Sequence, residues 1–285
     1  MSGFSVINNL PGIVAQQQGS VNQSNLQKTL YKLSSGLRVN RGGDDAAGLA
    51  IADGLKGQIR TLQQSVRNAN DGIGFIQVAD SALSQVSNLL TRAATLLTQA
   101  ASDTNNAGES SIETELAQIY QEIDRIGSAT KYNGVSVFSS TAVNIFVGDT
   151  QNLDSNTAQI SFTTSSLSMS ELNVSAGITG TGSSIDVQIS SSATATSMLS
   201  EIQSAIDAIS TRRGTIGAKM NRLENSVAIM QSQIQNLTAA ESQIRDANMA
   251  EEVANLTKFQ ILSQVSLSAM AQANAVPQGV LALLG

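Results

Sequence analysis

The sequence predicts a mainly α fold with a small β part: long antiparallel helices forming a coiled-coil-like bundle, with β-hairpins in a central segment. Three observations carry this. Two apolar seams of nearly equal length, both with heptad spacing, flank the middle of the 285-residue chain. The middle changes to period-two alternation. The composition, 3% aromatic with no Trp and only 2 Pro, suits extended helical packing better than a compact enzyme core.

The elements follow in order. Residues 1 to 27 contain no charged side chain, and the first basic one is Lys28. Gln, Asn and Ser dominate this arm, and its apolar positions Val6, Leu10, Val14 and Leu26 continue beyond it into Leu30 and Leu33. The stretch "RVNRGGDDAAG" then sets glycines and paired carboxylates before an apolar run. A phosphate-binding loop would need Lys after the glycines, whereas Asp44 and Asp45 would repel an anion. Two adjacent carboxylates without a third ligand or base are a poor metal centre. The reading adopted is a helix cap, with Asp44 or Asp45 accepting from free backbone N–H groups at the positive end of the helix dipole.

From Leu55, the positions Ile59, Leu62, Val66, Ala69, Ile73, Ile76, Leu83, Leu90 and Leu97 keep one 4-3 register, with Asp80, Ser87 and Ala94 as soft seam positions. After a break at "SDTNNAGESS", Ile112, Leu116, Ile119, Ile123 and Ile126 mark a shorter helix that folds back. "KYNGVSVF" supplies an Asn-Gly hairpin turn, and Ala158-Ile160-Phe162 and Ile185-Val187-Ile189 alternate as strands. This Ser/Thr-rich middle has no basic side chain between Tyr132 and Thr211. Its carboxylates, among them Asp149, Asp154, Glu171, Asp186 and Glu201, are spread far apart, so it is read as a solvated acidic face and not a metal site.

A third seam runs through Ile202, Ile206, Ile209, Ile216, Met220, Leu223, Val227, Met230, Ile234, Leu237 and Ile244, interrupted by Arg213 and Glu241. Two seams of such length on either side of an insert predict arms that run antiparallel and close on each other. The last 27 residues again carry no side-chain charge, yet Leu262, Val265, Leu267, Met270, Val280, Leu281, Leu283 and Leu284 await burial. Frayed ends seldom hold so much apolar surface. Both termini are therefore expected to be mobile alone and ordered by self-association. Val6, Leu10, Val14, Leu26, Leu30 and Leu33 in the first arm, and Leu262, Val265, Met270, Val280, Leu281 and Leu284 in the second, are its candidate residues.

The absence of His and Cys removes the commonest general base, the thiolate nucleophile and the usual zinc ligands. No catalytic, cofactor-binding or metal residue is predicted, and an enzyme is disfavoured. A net charge of -6 opposes nucleic-acid binding. The arm lacks the positive n-region of a secretory signal, and no run of 18 apolar residues can span a membrane.

The motifs "LSSGLRVNRGGDDAAGLAIADGL", "SVRNANDGIGFIQVADSAL", "AAESQIRDANMAEEVANLTKFQIL" and "AQANAVPQGVLALLG" closely resemble bacterial flagellin, over roughly residues 1 to 138 and 200 to 285. The resemblance implies a short form without large variable outer domains. It implies an inner helical domain built from 1–40 and 246–285. It implies an outer core domain with N-terminal helices over 41–135, a β-hairpin segment over 136–195 and a C-terminal long helix over 196–245. The implied function is a structural subunit that polymerises into the flagellar filament for swimming.

The implied setting is extracellular, reached by type III export without a cleaved signal. Implied partners are copies of itself, an export chaperone on the C-terminal end, the filament cap and the hook-junction proteins. "RVNRGG" departs from the family's Ser-Ala-Lys ahead of the aspartates, so contacts made there by Lys are not expected. The vertebrate Toll-like flagellin receptor typically meets Gln-Arg-x-Arg-Glu-Leu. This chain has "TRAATL", in which Arg92 and Leu96 match, and Glu115 falls at the acidic position of the next helix. A weakened receptor site is the expectation. A hook–filament junction protein is the alternative within the same machinery, and a carboxylate metal enzyme on Asp44 and Asp45 the distant one.

Overall fold

A computed structural model describes residues 9–102, 109–148, 158–179 and 185–284; the side chains of 109 and 276–284 lie outside the description. Among the described residues lie five helices: α1 (Leu10–Ser35), α2 (Ala46–Ala100), α3 (Glu109–Ala129), α4 (Ser192–Arg245) and α5 (Met249–Leu284). Six short strands, β1 (Lys131–Tyr132), β2 (Val135–Ser136), β3 (Val143–Phe146), β4 (Gln159–Phe162), β5 (Ile178–Thr179) and β6 (Asp186–Val187), pair consecutively into three antiparallel two-stranded sheets. The predicted fold class, mainly helical with small hairpins in the middle, is the observed one. The chain divides into two compact units, Met1–Ile59 with Gln235–Gly285 and Arg60–Ile234.

In the first unit, Asn9 caps α1, its side chain accepting from the Gly12 N–H at 3.1 Å, and Pro11 occupies the first turn, where a missing N–H costs nothing. Gly36, at φ 72°, ends the helix in the left-handed conformation and donates its N–H to Lys32 O at 2.8 Å. The chain then runs against the end of α4: Arg38 N donates to Arg245 O at 2.7 Å, the Arg38 guanidinium to Ile244 O at 2.7 Å, and Ala247 N to Gly36 O at 2.9 Å. Val39 is buried beside this junction.

The adjacent aspartates divide the capping work. Asp45 accepts from Gly48 N at 2.9 Å and starts α2, while Asp44 closes the preceding turn by accepting from Arg41 N at 3.1 Å and Asn40 N at 3.3 Å.

The second unit is organised by α2. Its buried line repeats every seven residues through Leu62, Ala69, Ile76, Leu83, Leu90 and Leu97. Three residues on, a second buried line runs through Ser65, Gly72, Ala79, Val86, Ala93 and Ala100. The expected seam is corrected here. Its other half, expected on Ile59, Val66, Ile73, Asp80, Ser87 and Ala94, is buried only at Ile59, and the other five sit half-exposed on the flank. Large residues on one line and mostly small ones on the other let neighbours approach closely. At Gly72 an added Cβ would stand 1.9 Å from Ile145 Cδ1, so the β3–β4 hairpin rests directly on this glycine.

α3 folds back on α2 and buries Ile112, Leu116, Ile119, Tyr120 and Ile123. α4 runs antiparallel to α2, with Ser192 Oγ donating to Ala101 O at 2.9 Å and Arg213 meeting Asp80 at 2.8 Å. It buries Ile202, Ile209, Ile216, Leu223 and Met230, again every seventh residue.

The Asn133–Gly134 turn has φ of 48° and 81°, the doubly positive geometry that Asn-Gly favours in a hairpin. Helix side chains occupy backbone carbonyls of the hairpins: Ser65 donates to Gly148 O at 2.6 Å and Lys219 to Ser161 O at 2.7 Å. The expected acidic face holds only in part. Glu171 and Asp186 are exposed, but Glu201 turns inward to accept from Ser175 N at 2.7 Å and Ala176 N at 2.9 Å. Asp149 and Asp154 lie outside the described residues.

Candidate functional site

Helices α1 and α5 lie antiparallel. Asn9 Nδ2 donates to Ala273 O at 3.0 Å at one end, and Lys32 approaches Glu252 at 3.8 Å at the other. The seam between them is small and polar. Gly19 faces Ser266, and Asn22 Nδ2 donates to Ser266 Oγ at 3.0 Å, while that hydroxyl donates on to Leu262 O at 2.7 Å. Among the described side chains of the two helices, only Thr29 and Ser266 are buried. A helix pair normally joins through its apolar stripe. This pair joins through Gly, Asn, Thr and Ser, with Met270 Cε 3.7 Å from where a Cβ on Gly19 would stand, and leaves many of its apolar residues outside.

Of the assembly candidates, Leu10 is 66% exposed, Val265 55%, Val14 51% and Leu30 47%. Leu26, Leu33, Leu262 and Met270 are half-buried. Val6 lies outside the described residues; Val280, Leu281 and Leu284 fall in α5 at positions whose side chains are outside the description. Ile13, Val21, Tyr31, Met249, Val253 and Ile261 on the same two helices are exposed as well, outside the predicted set. The signal was present in the first arm, since Val21 continues the line of Val14 by seven residues and sits on its face. Covering a side chain of this kind, already half out of water, contributes roughly 1 kcal/mol, so a row of them is a strong drive to associate.

The second predicted group, on α2 and α3, is brought together in part. Arg92 Nη2 pairs with Glu115 Oε1 at 2.8 Å, and both side chains are exposed, 58% and 43%. Leu96, one turn further along α2, is only 4% exposed and belongs to the packed face of the helix.

The remaining chemistry is structural. Asp44 and Asp45 spend their oxygens on backbone N–H groups. Burial, with the Glu201 carboxylate as a lesser cause, pushes the Tyr120 phenol well above the usual tyrosine range, and its hydroxyl meets no hydrogen-bond partner among the described residues. No described helix is long and apolar enough to cross a membrane.

Two family matches cover the two ends of the chain. Residues 6–142 match the family of the bacterial flagellin N-terminal helical region, and residues 199–284 that of the bacterial flagellin C-terminal helical region. A flagellin of Halalkalibacterium halodurans is 38% identical over 279 residues, covering 97% of this chain and 98% of its own. Flagellin FlaB2 of Treponema pallidum is 35% identical, covering 97% of this chain and 98% of its own, and a flagellin of Bacillus subtilis is 36% identical, covering 93% and 94%.

Proposed function

This chain belongs to the bacterial flagellin family and is a structural subunit of the flagellar filament, not an enzyme; from that premise we propose that the outward apolar faces of α1 and α5 are the surfaces through which copies join. The observation that carries the reading is the inverted helix pair, with Thr29 and Ser266 inside and Leu10, Val14, Leu30 and Val265 in water. In a lone subunit the pair has little burial to offset the entropy of ordering it. Neighbouring copies supply that burial, and the absence of charge from residues 1 to 27 and 259 to 285 removes the repulsion that keeps monomers apart. Leu26, Leu33, Leu262 and Met270, half-buried, support the pair as well as the assembly, and the same assembly role is proposed for Val6, Val280, Leu281 and Leu284.

The same reading extends to partners and place. Residues 1–40 and 246–285 act as an inner domain, and the segments between them as the outer one. The chain leaves the cell unfolded through the flagellar type III route, with a chaperone holding the C-terminal apolar segment until copies replace it, and the cap and hook-junction proteins meet the filament at its ends. Toll-like recognition rests on the exposed Arg92–Glu115 pair, with Leu96 as support beneath it. Purified chain added to sheared filament fragments tests the proposal: long filaments seen by electron microscopy are expected. Only short caps or single rings on the fragments would favour a junction protein instead.

A further inference from the structure

Between the second half of α1 and the loop before α2 lies a groove of about 520 Å³, lined by Lys28, Tyr31, Lys32, Arg41 and Asp44. Its charge is unbalanced. The Asp44 carboxylate is committed to the backbone N–H groups of Asn40 and Arg41. Lys32 has one distant partner in Glu252 at 3.8 Å. Lys28 stands one turn from Lys32 on the same helix face, where like charges repel, and has no carboxylate partner among the described residues. The Arg41 guanidinium rests over the Tyr31 ring at 4.5 Å, which fixes the guanidinium while leaving its N–H edge free to donate.

An acidic group of complementary charge is present on α5. Its first turn carries Glu251 and Glu252. Consecutive helix positions diverge by roughly 100°, so while Glu252 faces Lys32 across the seam, Glu251 points away. It is exposed and has no partner among the described residues. One subunit therefore offers cations with no carboxylate and a carboxylate with no cation, and these two features bracket arms that carry no charge at all.

We propose that in the filament the Lys28–Arg41 groove receives Glu251 of a neighbouring copy. This rests on the filament reading above and specifies one contact within it. Apolar faces supply the drive to associate, but they slide; a charge pair at the border of a charge-free surface sets the register in which they meet. Arg41, held by Tyr31, supplies directed N–H donors and Lys28 the remaining positive field.

The test is seeded growth of the full-length chain at low salt. Lys28→Glu with Arg41→Glu, and Glu251→Lys alone, should each raise the critical concentration roughly fivefold, the scale of an exposed ion pair lost and reversed. Combining all three should restore it to near the wild-type value, because the charges are then exchanged across the contact. Lys28→Glu alone, at an exposed position outside the turn, should show a smaller rise and guards against damage to the loop by the Arg41 change. Monomer melting temperatures should show no coupling between groove and Glu251. Variants that grow like wild type, a triple variant no better than the double variant or Glu251→Lys, or coupling already present in the monomer would each overturn the pairing while leaving the filament reading intact. A wild-type chain that forms no filament would overturn both.

Discussion

Asp80 and Arg213 face each other as a two-pronged pair, Nε to Oδ1 at 2.8 Å and Nη2 to Oδ2 at 3.2 Å, and tie the middle of α2 to α4. In the sequence each interrupts an apolar seam; in the fold the two interruptions answer each other. Both side chains are about two-fifths exposed, which limits the gain to that of a surface pair with good geometry. Asp80→Ala or Arg213→Ala should destabilise the monomer by about 0.5 kcal/mol. A double-mutant cycle read by thermal melting should find a coupling of that sign that shrinks in high salt.

Gly127 makes a stricter demand. A Cβ there would lie 1.9 Å from the Leu167 carbonyl oxygen, which is backbone and has little room to yield. Gly127→Ala should therefore destabilise by about 1–3 kcal/mol through overpacking, although alanine is intrinsically the better helix former. Gly54→Ala, also inside a helix but with open space around it, should stabilise the monomer by up to about 1 kcal/mol. Melting the two variants side by side checks the contrast.

Tyr120 gives the fold a basic limit. Its phenol is fully buried and neutral, whereas in the unfolded chain it ionises near 10.0. The native state thus holds its proton more tightly, so the stability contributed is complete below about pH 10 and falls as pH rises beyond it. Tyr120→Phe should flatten that loss. Because the hydroxyl has no partner among the described residues, the change should also leave stability at pH 8 equal to wild type or about 1 kcal/mol higher. Melts between pH 8 and 11 read both effects.

For receptor recognition, Arg92→Ala and Glu115→Ala should each reduce signalling in a Toll-like reporter cell without lowering the monomer melting temperature appreciably, since the pair is exposed. Leu96→Ala should lower stability by about 2 kcal/mol or more, because its side chain is packed inside the unit. Unchanged signalling in both surface variants would remove this site.

Much of this architecture was legible because long helices repeat their signal. The leucines and isoleucines of α2 and α4, seven residues apart, mark the buried face whichever neighbour covers it. The other half of the α2 seam was not legible. Ser65, Gly72, Ala79 and Ala93 are buried for their smallness, and a pattern read from apolar bulk passes over them in favour of Val66 and Ile73. The lone carboxylate Glu201 reads as solvated in sequence, since only the fold brings the Ser175 and Ala176 N–H groups to it. Leu96 enters the receptor motif by resemblance alone, and its place on the helix turns it inward. The terminal arms were legible as an absence of charge, while the inversion of their helix pair, polar inside and apolar outside, needed the partner helix.

The central claim is that the exposed face of α5 is an assembly surface, and Val265→Asp tests it most directly. Val265 is 55% exposed in the single subunit, so an aspartate there stays in water and should leave the helical circular dichroism and the melting temperature of the monomer nearly unchanged. In the polymer the same carboxylate enters an apolar contact without a cation, at a cost of several kcal/mol repeated at every subunit. Seeded growth at neutral pH, followed by light scattering and electron microscopy, should therefore be abolished. Filaments that form normally from Val265→Asp, or a monomer already unfolded by it, would contradict the account.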